Sequence, residues 1–152
     1  MFDEAEIILS QAMDQALRFL SQRFLSSYEL RQKMRRKQIP NELIDQVEEK
    51  MIYYDYLNDE RLSLQFLSHL MKEQKYGTFY IRQKMKMRGL SVPMGIENYN
   101  ELEAAFKVVD RKFTSYDEDP TLDVPMNKII NTLKNRGFST STIRAVCAEL
   151  YS

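Results

Sequence analysis

The sequence predicts an all-α protein organised as a repeat array, and three observations carry that expectation. A short basic segment occurs three times, as Leu30-Arg31-Gln32-Lys33-Met34, as Ile81-Arg82-Gln83-Lys84-Met85 and, more weakly, as Ile129-Ile130-Asn131-Thr132-Leu133. The copies begin 51 and then 48 residues apart, and a fixed period of this size marks a repeat array rather than a single enzyme core. Only 4 Gly and 4 Pro punctuate the chain, and no alternating strand pattern appears.

The copies agree position by position. With the first residue of each set as offset zero, offset four is apolar (Met34, Met85, Leu133). Offset five is basic (Arg35, Lys86, Lys134), and so is offset seven (Lys37, Arg88, Arg136). Offset eight is Gln38, Gly89 and Gly137, and offset nine returns to apolar (Ile39, Leu90, Phe138). What repeats is therefore a packed face plus positive charge, the composition of a binding surface.

The elements follow in order. A first helix is expected from about Glu4 to Leu25, with Ile8, Met13, Leu17, Leu20 and Phe24 near helical spacing. Ser26 with Glu29 three residues on has the form of a capping box, opening the first basic helix, which runs to about Lys37. Pro40-Asn41 stops it and starts the next helix through Ile44, Val47 and Met51. Asn58 or Asp59 caps a fourth helix to about Gln74, carrying Leu62, Phe66, Leu67 and Leu70. Tyr76-Gly77-Thr78 turns tightly into the second basic helix, and Gly89 stands where a left-handed cap would end it.

The second repeat then becomes irregular. Gly95 and Asn98 occupy the positions held elsewhere by Ile44 or Ile143 and by Val47 or Val146, so a shortened or broken helix is expected there. A helix from about Glu101 to Phe113 follows, and then an acidic segment, Thr114 to Pro120, read as the most mobile linker. Pro125 begins the third basic helix in its first turn, and Ser139 caps a last helix to about Leu150. The approximate repeats are 4–54, 58–98 and 100–151, within one elongated domain spanning 1–152, because units of an array pack mainly on their neighbours.

Composition bounds the function class. The apolar share of 43% suffices for packed helices, and no run approaches the roughly 18 apolar residues of a membrane span. The N-terminus is acidic, without the basic start and apolar stretch of a secretion signal. A single cysteine, Cys147, forbids an intrachain disulfide and fits a reducing cytoplasm. Net charge is zero, yet it is unevenly spread. Residues 18–39 hold seven bases and one acid, residues 72–90 six bases and one acid, and residues 127–144 four bases and no acid. Acid-rich stretches separate them, so the neutral total hides three positive stripes.

Chemistry is poorly supported. His69 is the only histidine and falls within an amphipathic helix, and Cys147 lies between Val146 and Ala148 as a small core side chain. One His and one Cys cannot build a common zinc site. There is no glycine-rich phosphate loop, and no cofactor is expected. Tyr53, Tyr54 and Tyr56 read first as residues packed at a helix end, with base stacking as the alternative.

The residues resemble the RecX regulatory proteins, modulators of the RecA recombinase. Ala16-Leu17-Arg18-Phe19-Leu20, Ser27-Tyr28-Glu29-Leu30-Arg31-Gln32-Lys33-Met34 and Asp55-Tyr56-Leu57-Asn58-Asp59-Glu60-Arg61 carry the likeness. So do Tyr76-Gly77 followed by Ile81 to Met85 and Gly89, then Arg136-Gly137-Phe138 and Ile143-Arg144. Order and spacing, over about residues 14–150, are more telling than any single motif. The resemblance implies three tandem three-helix units in a curved, elongated array, without catalysis. It also implies a protein that lies in the groove of the RecA–DNA filament, hinders its extension and suppresses strand exchange and ATP hydrolysis. Two departures stand out, the shortened third helix of the second repeat and the weaker third basic helix, where Asn131 and Thr132 replace Gln-Lys.

Charged residues ordinarily cover a helix and meet only water. Here angle and sign repeat together. At about 100° per residue, Leu30 and Met34 fall near 0° and 40°, whereas Arg31 and Arg35, like Arg82 and Lys86, fall near 100° and 140°. Repeated positive charge on one angular sector suits an acidic partner. The expected contacts are Arg31, Arg35, Arg36, Arg82, Lys86, Arg88, Lys134 and Arg136, and the expected partner is the RecA filament with its bound DNA, met by a cytoplasmic monomer. The alternative is a DNA-binding helical module independent of RecA, against which stands a pI near 6.6, below the value above about 9 usual for such modules.

Overall fold

The structure is a computed structural model, and it describes residues 3–113 and 124–152. The acidic segment expected to be a mobile linker lies outside the described residues. Among the described residues the chain is all α, with eight α-helices, one 3-10 turn and no strand. The helices are α1 (Glu4–Gln22), α2 (Ser27–Arg36), α3 (Asn41–Tyr53), α4 (Asp59–Glu73), α5 (Thr78–Met87), α6 (Glu101–Phe113), α7 (Met126–Asn135) and α8 (Thr140–Leu150). The 3-10 turn, Ile96–Asn98, stands between α5 and α6, where the sequence led to a shortened helix. Gly95 precedes it in the left-handed region, with φ 115°.

Two compact units form. Unit 1 comprises Met1–Ser63 with Met87–Ser91, and unit 2 comprises Leu64–Lys86 with Val92–Ser152. In unit 1, α1 packs on α2 and α3. Leu30, Met34, Ile44, Val47 and Met51 are fully buried there, joined by Ala12, Ala16, Leu25 and Leu57. Each such large apolar side chain is worth about 1.5–3 kcal/mol in water-to-core transfer. In unit 2, α6 packs on α7 and α8 over a core of Ala104, Ala105, Val108, Ile129, Leu133, Phe138 and Val146. Ile81 and Met85 are likewise fully buried in unit 2.

Offsets zero and four are thus buried in all three basic helices. The capping box at α2 is present in both directions: Ser26 Oγ accepts from the Glu29 N–H, and the Glu29 carboxylate accepts from the Ser26 N–H. Asn58 Oδ1 caps α4 by accepting from the Arg61 N–H at 2.9 Å. Ser139 caps α8, and Pro125 sits at the N-cap of α7, one residue ahead of its first turn.

Three placements differ from the sequence reading. The first helix ends at Gln22, because Arg23 turns to an extended backbone. That turn carries Leu25 into the core and leaves Phe24 73% exposed. Ile8 is also half-exposed, since the buried stripe of α1 runs through Ala12 and Ala16 instead. Tyr53, Tyr54 and Tyr56 are not packed at a helix end. All three stand in solvent, and Tyr53 and Tyr54 meet only edge to face at 5.1 Å.

Candidate interaction surface

The basic helices are held at their ends by a recurring junction. The start of one basic helix receives the end of the next. In unit 1, Ser26 Oγ donates to the Arg88 carbonyl, and Arg88 Nη2 donates to the Phe24 carbonyl at 2.8 Å. In unit 2, the Gly77 N–H donates to the Arg136 carbonyl at 2.8 Å, and Arg136 Nη1 donates to the Lys75 carbonyl at 3.3 Å. Counted from Leu30 and Ile81, Phe24 and Lys75 are equivalent, as are Ser26 and Gly77. The same contact is therefore made twice with different side chains.

The junction explains offset eight. Gln38, Gly89 and Gly137 all have positive φ, at 62°, 72° and 80°. A Cβ at Gly89 would run into the Tyr28 side chain, and one at Gly137 into Tyr80. Glycine supplies both the left-handed backbone and the room. Gln38 is exposed and carries only the backbone cost.

An acid that opens one helix secures the start of another. Asp59, first residue of α4, accepts from the Ser27 N–H at 2.8 Å. Glu101, first residue of α6, accepts from the N–H of Thr78 at 2.7 Å and that of Ser139 at 2.9 Å. It also accepts from the Thr78 and Ser139 hydroxyls. Burial pushes the Glu101 carboxyl up, but hydrogen bonds from Ser139, Thr142 and Thr78 outweigh it and hold the group at about 2.

The expected contact residues divide into two groups. Arg31 and Arg88 are engaged by carboxylates of the chain itself. Arg31 bridges Asp45 at 2.8 Å and Glu48 on α3, and these bonds raise its already high pKa. Arg88 pairs with Glu29 at 3.0 Å with both side chains mostly buried. Burial pushes Glu29 up, yet hydrogen bonds from Arg88 and from the Ser26 N–H leave its carboxyl below the ordinary value. Arg136 is half-buried and tied to a backbone carbonyl.

The second group is open to solvent: Arg35, Arg36, Arg82, Lys86 and Lys134 are all exposed. Offset five is an exposed cation in every copy, as Arg35, Lys86 and Lys134. Arg82 differs from Arg31 because the 3-10 turn replaces the helix that would carry partners for it. Its charge is felt instead at Glu97, where backbone hydrogen bonds at Glu97 and Gly95 do more to lower the carboxyl. At offset three, Lys33 lies 5.5 Å from the Phe19 ring centroid and Lys84 lies 5.3 Å from that of Tyr80, so each covers an aromatic face.

Three basic residues outside the repeat pattern escaped the sequence reading. Lys75, Arg111 and Lys112 gather with Arg136 around one cleft of unit 2. They come from the segment after α4 and the end of α6, so no shared offset marks them. Among the described residues, no helix is long and apolar enough to cross a membrane.

Comparison with known proteins finds likeness to one family. Residues 12–51, which span most of α1 through α3, match the model described as RecX, first three-helix domain. The chain is 25% identical over 137 residues to regulatory protein RecX of Trichlorobacter lovleyi, covering 85% of this chain and 88% of that protein. It is 26% identical over 150 residues to the Clostridium acetobutylicum protein of the same name, covering 93% and 69%. It is 23% identical over 161 residues to that of Bacillus cytotoxicus, where it covers 97% of this chain and 59% of the relative. The chain thus spans about three fifths of the length of that Bacillus relative. A crystal structure of RecX from Lactobacillus salivarius matches with a TM-score of 0.71 at 24% identity, covering 93% of this chain and 96% of that one. A crystal structure of regulatory protein RecX matches with a TM-score of 0.71 at 17% identity, covering 97% and 80%. Both show a shared fold.

Proposed function

We propose that this chain is a member of the RecX family, which it resembles, and a regulator that binds the RecA–DNA filament and restrains it without catalysis. The carrying observation is the exposed cation at offset five of each basic helix, Arg35, Lys86 and Lys134, beside a fully buried apolar residue at offset four. The buried neighbour fixes the helix, and the fixed helix presents the charge. Cations repeated on well-packed helices suit a repeating acidic partner, and a filament of identical subunits with bound DNA is one.

In this reading the action is steric and electrostatic. A monomer in the cytoplasm lies along the filament and contacts neighbouring subunits through successive repeats. Subunit addition is hindered, and the second duplex is denied its place. The contacts are Arg35, Arg36, Arg82, Lys86 and Lys134. Arg31, Arg88 and Arg136 contribute chiefly by holding the helices, since each is engaged within its own unit. Linked weak contacts gain through effective concentration, so no single cation need be strong. The test is the DNA-dependent ATPase of RecA with and without this protein. A fall in rate with added protein supports the proposal, and an unchanged rate at saturating protein rejects it.

A further inference from the structure

We propose that unit 2 carries a phosphate-binding site, formed by Lys75, Arg111, Lys112 and Arg136 around a cleft walled by Tyr76 and Val108. The cleft holds about 510 Å³, within the range of roughly 300–1,000 Å³ typical of small-ligand sites. Among the described residues, four cations line it and no acid does.

Three of the cations are oriented by neutral acceptors among the described residues. Arg111 Nη1 donates to the carbonyls of Glu73 at 3.4 Å and Gln74 at 3.3 Å. Arg136 Nη1 donates to the Lys75 carbonyl, and Lys112 Nζ to the Thr132 hydroxyl at 3.3 Å. A carbonyl or hydroxyl fixes the direction of a cation without cancelling its charge. Glu73, whose charge is felt at the cleft residue Tyr76, accepts from His69 Nε2 at 2.9 Å.

The two junctions make the contrast sharp. In unit 1 the arginine at offset seven is neutralised by Glu29. The residue equivalent to Glu29 ahead of Ile81 is Tyr80, which stacks on Tyr76 with ring centroids 4.0 Å apart. Lys75 replaces Phe24 in the same exchange. The junction has therefore lost an acid and gained a base, a change that packing alone does not call for. Two guanidinium forks with two ammonium groups fit a multiply charged anion with several acceptor oxygens, and phosphate meets that description better than a lone carboxylate. The phosphate can come from a free ion or nucleotide, or from the backbone of a nucleic-acid strand.

The experiment uses the full chain without RecA, at low salt. Inorganic phosphate and ATP are titrated calorimetrically, and a fluorescein-labelled oligothymidylate is followed by anisotropy. Lys75→Gln with Arg111→Gln removes two exposed cleft cations, and Arg18→Gln with Lys50→Gln removes the same charge from exposed positions of unit 1 that are given no binding role. Circular dichroism checks the fold of both. The cleft variant is expected to bind roughly tenfold more weakly than the parent, with the unit 1 variant close to the parent. Binding of oligothymidylate well above that of phosphate and ATP assigns the site to a strand, and the reverse assigns it to a free phosphate compound. The proposal is overturned by a parent that binds no phosphate probe, by a cleft variant no weaker than the unit 1 variant, or by polyglutamate binding tighter than every phosphate probe. Because RecA is absent, such a failure leaves the filament reading untouched.

Discussion

Arg88 reaches back 59 residues to Glu29, giving the carboxylate both Nε at 3.1 Å and Nη2 at 3.0 Å. Both side chains are mostly buried, at 13% and 17% exposure. Glu29 also closes the capping box of α2, so one carboxylate serves the helix start and the junction together. An arginine that the sequence offers as a partner contact thus acts as an internal clamp.

Removing one partner of this pair leaves the other charge poorly compensated in a mostly buried place. Arg88→Ala is expected to cost about 2 kcal/mol, the range of hydrogen bonds to charged groups. Arg35→Ala, at an exposed position, should stay within about 0.5 kcal/mol of the parent. Urea denaturation of the two variants checks this. Equal stabilities would remove the clamp from the account.

Glu101 makes stability depend on acid pH in a defined direction. Its folded carboxyl titrates at about 2, against about 4.3 in an unfolded chain. A lowered folded value means that the contribution is fully present above the unfolded value and is lost as pH falls toward 2. With screening at a half-exposed site, it is worth about 1–2 kcal/mol at neutral pH. Glu101→Gln should therefore be less stable than the parent at pH near 7, and the gap should close between about pH 4.5 and 2. A gap independent of pH would mean that the charged form is not what the Thr78 and Ser139 groups recognise.

Gly89 and Gln38 sit at the same repeat position with different neighbours. Gly89→Ala adds left-handed strain of about 1 kcal/mol and a collision with Tyr28, for a total of about 2 kcal/mol or more. Tyr28→Ala in the same chain should return part of the loss. Gln38→Gly relieves strain at an exposed site and should change stability by no more than about 1 kcal/mol, in the stabilising direction. Thermal unfolding of the four proteins decides it, and a harmless Gly89→Ala would contradict the junction geometry.

The inhibition itself should be sensitive to salt. Contacts from lysine and arginine to phosphates and carboxylates weaken as ions screen them and as counterion release loses its advantage. Inhibition of RecA is therefore expected to fall markedly between about 50 and 200 mM salt. Equal inhibition at both ends would point to an apolar interface.

Local signals carried much of the fold. Ser26-x-x-Glu29, Pro40, Gly89 and Ser139 mark helix ends through short-range geometry, and each is found at the expected end. The apolar offsets located Leu30, Met34, Ile81, Met85, Ile129 and Leu133 in the core because burial follows helical periodicity. The surface was less legible. Arg31 and Arg35 look alike on a helical wheel, yet only Arg31 meets the acids of α3, a contact that depends on tertiary placement. Arg88 and Glu29 are linked across most of two repeats, beyond the reach of any local pattern. The Lys75, Arg111, Lys112 and Arg136 group is assembled from separate segments, and of the four only Arg136 stands at a basic repeat offset. Exposed Phe24 was misread because one extended residue, Arg23, breaks the helical phase.

The central claim is that the exposed cations of the three basic helices act together on the filament. The direct measurement is RecA DNA-dependent ATPase against the triple variant Arg35→Glu, Lys86→Glu, Lys134→Glu, with circular dichroism confirming the fold. Each position is exposed, so folding should survive. The account predicts a loss of inhibition far larger than three isolated surface ion pairs would supply at about 0–1 kcal/mol each, because linked sites multiply. A folded triple variant that inhibits as well as the parent would contradict it and reduce the positive stripes to solvated surface.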